Sequence, residues 1–156
     1  MTKLKAKIII EVALAEVGQK EMPKNSNKTK YGNWFGLDEV SWCGIFVSWV
    51  YDQAGIPLGN IGFTKGFAGC QTAVQHFKTS GEVTEDPQIG DIVLFDWNND
   101  KRYDHAGIFN GWKVEGKELN TIEGNTSLTN QSNGGEVMLR TRLLKNVLFV
   151  HPKVLD

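Results

Sequence analysis

No run of apolar residues in this 156-residue chain is long enough to cross a bilayer as a helix, so membrane insertion is not expected. Two cysteines are too few for a disulfide framework. No pair of cysteines or histidines has zinc-ligand spacing, and neither a metal nor another cofactor is expected. The formal net charge is −1, so no global field draws the chain to nucleic acid or to anionic lipid. Prolines number four, and no repeat, low-complexity tract or linker divides the chain. Lys3, Lys5 and Lys7 precede Ile8-Ile9-Ile10 in the manner of a signal peptide, but Glu11 and Glu16 interrupt the apolar stretch and no cleavage site follows. The expectation is synthesis in the cytoplasm without a cleaved leader, as one domain over residues 1–156.

What the chain does contain changes period partway along. Ala6, Ile9, Ile10, Ala13, Leu14 and Val17 recur at helical spacing, and Gly18 is the expected stop. Residues 23–33 read as a polar loop. A second helix is expected from Ser41, as N-cap, to Gly55, and it is apolar nearly all round, which fits the centre of a fold. A third is expected over Cys70–Lys78, stopped by Gly81. From Ile89 onward the pattern becomes strand-like: Asp91–Phe95, Ala106–Phe109, Lys117–Glu123, Glu136–Arg142 and Val147–His151. Helices first and an antiparallel sheet after them make the fold class α+β.

Cys43 opens the central helix, where unpaired backbone N–H groups favour thiolate over thiol. His105 opens a strand and is followed by Ala106 and Gly107, small residues that permit close approach. Glu123 ends a strand and can orient an imidazole. Asn125 offers an amide to the same network, or serves only the turn before Thr126. Cysteine, histidine and a polar orienting residue, in that order, suit a thiol hydrolase of papain-like layout. Cys70 reads as structural; a bridge from it to Cys43 would destroy the candidate nucleophile. Trp42 and Trp97 are the candidates for lining a substrate groove. Asp96-x-Asn98-x-Asp100 echoes a calcium loop, but Lys101 and Gly107 stand where an EF-hand needs glycine and glutamate, leaving only an irregular cation site open.

The segments Lys30–Gly36, Trp42-Cys43-Gly44-Ile45-Phe46-Val47-Ser48-Trp49, Gly90–Trp97, Asp104-His105-Ala106-Gly107-Ile108 and Thr121-Ile122-Glu123-Gly124-Asn125-Thr126 together resemble the CHAP domain, a family of cysteine- and histidine-dependent amidohydrolases and peptidases of bacterial and phage cell-wall enzymes. The resemblance implies a papain-like α+β fold, with N-terminal helices packed on an antiparallel sheet. It implies hydrolysis of amide bonds in bacterial peptidoglycan, with Cys43 as nucleophile, His105 as base, Glu123 as orienting acid and Asn125 in support. A phage endolysin is the expected kind of protein, acting on the wall outside the membrane. A holin for export, or a separate wall-binding module, is its expected partner. The aspartate-rich calcium loop that some phage members carry before the cysteine is replaced here by Phe35–Trp42. The N-acetylmuramoyl-L-alanine bond is slightly preferred as the target. A D,L- or cross-bridge endopeptidase is the alternative within the class, and a catalytically silent wall-binding module the alternative outside it.

Overall fold

The computed structural model describes residues 1–131 and 133–156. Helix α1 (Thr2–Ala15) turns Ala6, Ile9 and Ala13 inward, following the expected apolar stripe. It ends at Glu16 rather than Gly18, because the chain leaving it bonds to a strand instead: Gly18 N–H donates to the Val137 carbonyl and Val137 N–H to that of Gln19. Helix α2 (Lys30–Phe35) begins inside the stretch expected to be loop. Thr29 caps it by accepting from Gly32 N–H at 3.0 Å, and Gly36, with φ at 86°, closes it. Helix α3 (Cys43–Gln53) is the apolar central element, burying Cys43 through Ser48 along with Val50 and Tyr51. Its N-cap is Trp42, not Ser41. The Ser41 hydroxyl instead accepts a hydrogen bond from the amide of buried Asn125, a competing demand from the sheet side. Helix α4 (Cys70–Ser80) ends as expected at Gly81, left-handed with φ at 73°.

Six strands follow among the described residues: β1 (Val83–Thr84), β2 (Ile92–Phe95), β3 (His105–Val114), β4 (Glu118–Thr126), β5 (Glu136–Leu143) and β6 (Val147–Val150). They form one antiparallel sheet in the order β1-β6-β2-β3-β4-β5. The architecture is α+β, with helices packed on an antiparallel sheet. Side chains alternate across the sheet. Ile92, Leu94, Ala106, Ile108 and Ile122 join the core beneath the helices. Val93, Phe95, Phe109, Leu119 and Phe149 form a second cluster on the other face, flanked by Trp97 and Trp112. Both faces of β2 are therefore buried, which is why Ile92–Phe95 is an unbroken apolar run rather than an alternating one.

The site depends on how closely α3 approaches β4. A Cβ at Gly124 would lie 2.7 Å from Phe46 Cβ and 2.8 Å from the Trp42 ring. Only glycine lets the strand carrying Glu123 sit directly on the first turn of α3.

Candidate active site

Cys43 is the first residue of α3, and no side chain caps that helix start. The first-turn N–H groups thus place partial positive charge beside its sulfur. The thiol's pKa lies well below its ordinary value. The largest cause is a hydrogen bond from Cys70, whose sulfur is 3.8 Å away; burial opposes it, and the charge and proximity of His105 and the Ala106 N–H reinforce it. Cys70, read from the sequence as merely structural, therefore touches the candidate nucleophile.

His105 is the first residue of β3 and is fully buried. Its Nε2 lies 2.8 Å from Glu123 Oε1. Burial alone would lower the ring's pKa, but the Cys43 charge and hydrogen bond, followed by those of Glu123, raise it to about 9. Glu123 stays ionised, since a carboxylate that burial would raise is held at about 2 by Arg142 and His105. An ionised carboxylate only accepts, so Nε2 carries the proton. Nδ1 makes no hydrogen bond among the described residues, so it is the ring nitrogen free to exchange a proton with the Cys43 thiol, whose pKa the charge of His105 helps to lower. The favoured resting state is a thiolate–imidazolium pair.

Gly107 makes the His105–Glu123 contact possible. A Cβ there would stand 2.8 Å from Glu123 Cγ, so glycine leaves room for the carboxylate to lie across β3 toward the ring. The sequence reading expected Ala106 and Gly107 to admit a backbone or a substrate; Gly107 admits Glu123.

Arg142 and Thr121 escaped the sequence reading. Arg142 Nε donates to Glu123 Oε2 at 2.9 Å and Nη2 to Oε1 at 2.5 Å, while Thr121 donates to Oε2 at 2.5 Å. In the sequence Arg142 stood only as the last residue of the expected strand Glu136–Arg142. Its role follows from the β4–β5 register, which pairs it with Leu119 on the same sheet face as Thr121 and Glu123.

Trp97 stacks on His105, with ring centroids 5.1 Å apart and planes at 26°. The Arg142 guanidinium lies 4.7 Å from the centre of the same indole. Trp97 also walls a cleft of about 260 Å³ with Thr141, Arg142, Leu143 and Lys145. Trp42 is placed differently from the sequence expectation. It is fully buried, stacks on Tyr31 and donates from Nε1 to Glu21 at 3.2 Å, so it belongs to the core and offers no groove surface.

Asn125 is buried and adopts a left-handed conformation, φ 60°, at an irregularity in the β4–β5 ladder. Its Nδ2 donates to Ser41 Oγ and Asn133 Oδ1, and its Oδ1 accepts from Gly135 N–H. It does not join the hydrogen bonds of His105 and Glu123; it ties the approach to α3 onto the loop between β4 and β5. That loop and residues 20–25 wall a polar cleft of about 580 Å³. Asp96 folds its own loop, accepting from the backbone N–H groups of Asp100 and Lys101. His151 pairs with Asp91 and Asp156, remote in sequence from Cys43, and His76 packs edge-on to Phe77. No helix among the described residues is long and apolar enough to cross a membrane.

A thiolate at a helix start, a protonated imidazole beside it and a buried carboxylate behind that imidazole can perform nucleophilic acyl transfer. Comparison with protein families matches residues 34–125 to the CHAP domain, a span that contains Cys43, His105, Glu123 and Asn125. No curated protein matches the chain.

Proposed function

The chain belongs to the CHAP domain family, whose general activity is peptidoglycan hydrolysis by amidases and peptidases, and from that premise we propose that it cleaves a wall amide with Cys43 as nucleophile. The observation that carries the reading is a buried His105 whose Nε2 lies 2.8 Å from Glu123 and whose charge helps to lower the pKa of Cys43 at the start of α3. The Cys43 thiolate attacks the amide carbonyl, forming an S–C bond. Backbone N–H groups at the start of α3, that of Cys43 among them, stabilise the oxyanion. The tetrahedral intermediate collapses as the His105 imidazolium gives a proton to the departing amine. His105, now neutral, takes a proton from water, whose oxygen attacks the thioester and frees the new carboxylate. Glu123 holds the ring in the productive tautomer throughout, and Arg142 and Thr121 hold Glu123. Asn125 supports the α3 approach rather than the chemistry.

Trp97 gives the substrate an aromatic wall beside His105, at the cleft it shares with Arg142. The preferred bond joins the glycan lactyl group to L-alanine, a choice that rests on the compact family form rather than on a pocket residue. We place the protein's work at the wall outside the membrane, as an endolysin-like enzyme that depends on a holin or a wall-binding partner to reach it.

N-terminal labelling of digested, purified peptidoglycan tests the reading. An amidase releases stem peptides with free N-terminal alanine and creates no reducing sugar ends. New amines at other residues would replace the amidase by an endopeptidase. Reducing ends without new amines would overturn the cysteine mechanism, because glycoside cleavage ordinarily uses paired carboxylates.

A further inference from the structure

Cys70 has no part in the hydrolytic steps, yet its sulfur stands 3.8 Å from that of Cys43, and both cysteines are free. The proximity is built by the fold. Each cysteine is the first residue of a helix, α3 and α4. The segment leading into α4 is pinned against the first turn of α3. Ser48 Oγ donates to the Gly44 carbonyl and accepts from Phe67 N–H at 3.1 Å. A Cβ on Gly44 would meet the Phe67 ring at 2.7 Å and the Ala68 carbonyl at 3.0 Å. Glycine at position 44 thus lets the two helix starts converge on one pair of sulfurs.

We propose that Cys43 and Cys70 form a reversible dithiol–disulfide site that reacts with hydroperoxides, Cys43 being the thiol attacked first and Cys70 the resolving thiol. The proposal rests on the reading of Cys43 as the reactive thiolate of the site. The electrostatics agree with that division of roles. The Cys43 thiol is shifted down, while the Cys70 thiol is shifted up by its hydrogen bond to Cys43, by burial and by the charges of Cys43 and Asp104. One sulfur is therefore a nucleophile and the other keeps its proton until it is needed. A hydroperoxide is the fitting oxidant because one small molecule brings both oxidising equivalents to Cys43, a residue 2% exposed.

The steps balance. The Cys43 thiolate attacks the terminal peroxide oxygen; an S–O bond forms, the O–O bond breaks, and the departing alkoxide or hydroxide takes the His105 proton. The sulfur is oxidised by two electrons to a sulfenic acid and the peroxide is reduced to an alcohol or water. The Cys70 sulfur then attacks the Cys43 sulfur. An S–S bond forms, the S–O bond breaks, and hydroxide leaves as water with the Cys70 proton. The sulfurs must close from 3.8 Å to about 2.0 Å. The bridge removes the thiolate and silences hydrolysis, and a thiol reductant restores it. Without Cys70, a sulfenic acid on Cys43 is open to further oxidation that thiols do not reverse.

The test treats the full chain with hydrogen peroxide, maps its peptides by mass spectrometry, and follows wall hydrolysis before and after dithiothreitol. The expected result is a Cys43–Cys70 cross-linked peptide, loss of nearly all hydrolysis, and its return on reduction. In Cys70→Ser, and in Cys70→Ala should the serine variant not fold, Cys43 should instead pass to the sulfinic acid. Activity, measured against each variant's own untreated level, should then stay lost after dithiothreitol. Sulfinic acid on Cys43 in the unmutated protein, or two unreacted thiols, would overturn the proposal while leaving the hydrolase reading intact. A bridge that forms while hydrolysis continues would uphold the dithiol site and overturn Cys43 as the hydrolytic nucleophile.

Discussion

At Glu123 two buried carboxylate oxygens receive four hydrogen bonds, from His105, Thr121 and both arms of Arg142. An amide in its place keeps one acceptor and turns an NH₂ group toward donors. Glu123→Gln should therefore lower kcat on the order of 10³- to 10⁴-fold, leaving a residue of activity above that of a variant without the thiol. Arg142→Met strands a charge in the sheet and should cost about 3–5 kcal/mol in chemical denaturation. Arg142→Lys keeps the charge but not the two-armed geometry and should fall between. If Arg142→Met were as stable as the parent, the clamp would not hold Glu123 in solution. Acid should act through the same carboxylate. Its folded pKa is about 2 against an ordinary 4.5, so its contribution to stability is complete above about pH 4.5 and is lost as pH falls toward 2. Stability curves of the parent and Glu123→Gln should converge over that window. At the other end, His105 must be protonated to release the amine, so kcat/KM should fall above about pH 9. A profile still rising there would contradict the imidazolium as leaving-group acid.

Between elements, the site is set by places where a side chain is missing. Gly107→Ala should push Glu123 off His105, costing about 1–3 kcal/mol of stability and a larger share of activity. Unchanged activity would mean that the carboxylate reaches the ring by another path. The elements themselves were unevenly legible in the sequence. The unbroken apolar face of α3 and the short apolar runs of β2, β3 and β6 carried their own periodicity. Helix α2 did not, because six residues make too few turns for a stripe, although Thr29 and Gly36 already marked its ends. Ser41 looked like an N-cap only while the buried amide of Asn125 was out of view. Cys43, His105 and Glu123 could be picked out by residue type and order. Arg142 could not, since strand register alone makes it Glu123's partner. Nor could the approach of Cys70 to Cys43, which depends on the irregular glycine-rich path between α3 and α4. Trp42 shows the opposite error: adjacency in sequence to Cys43 suggested a groove wall, and stacking on Tyr31 puts the indole in the core.

At the scale of the molecule, the helical layer delivers the Cys43 sulfur and the sheet delivers His105, Glu123 and the clamp on Glu123. The sheet is buried on both faces near the site, so His105 and Glu123 have little freedom to relax if a partner is lost. One cleft beside His105 is walled by Trp97 and Arg142, and a polar one lies against the β4–β5 loop. A larger, mostly apolar cavity between α1 and Gln88-Ile89 has none of the catalytic candidates in its wall. Everything proposed for the site turns on the Cys43 sulfur breaking the wall amide. The most direct test measures amino groups released from purified peptidoglycan by the parent and by Cys43→Ala, with circular dichroism to compare their folds. Steady release by the parent and none above background by the variant, at matching folds, is the expected result. Substantial release by a folded Cys43→Ala would contradict it.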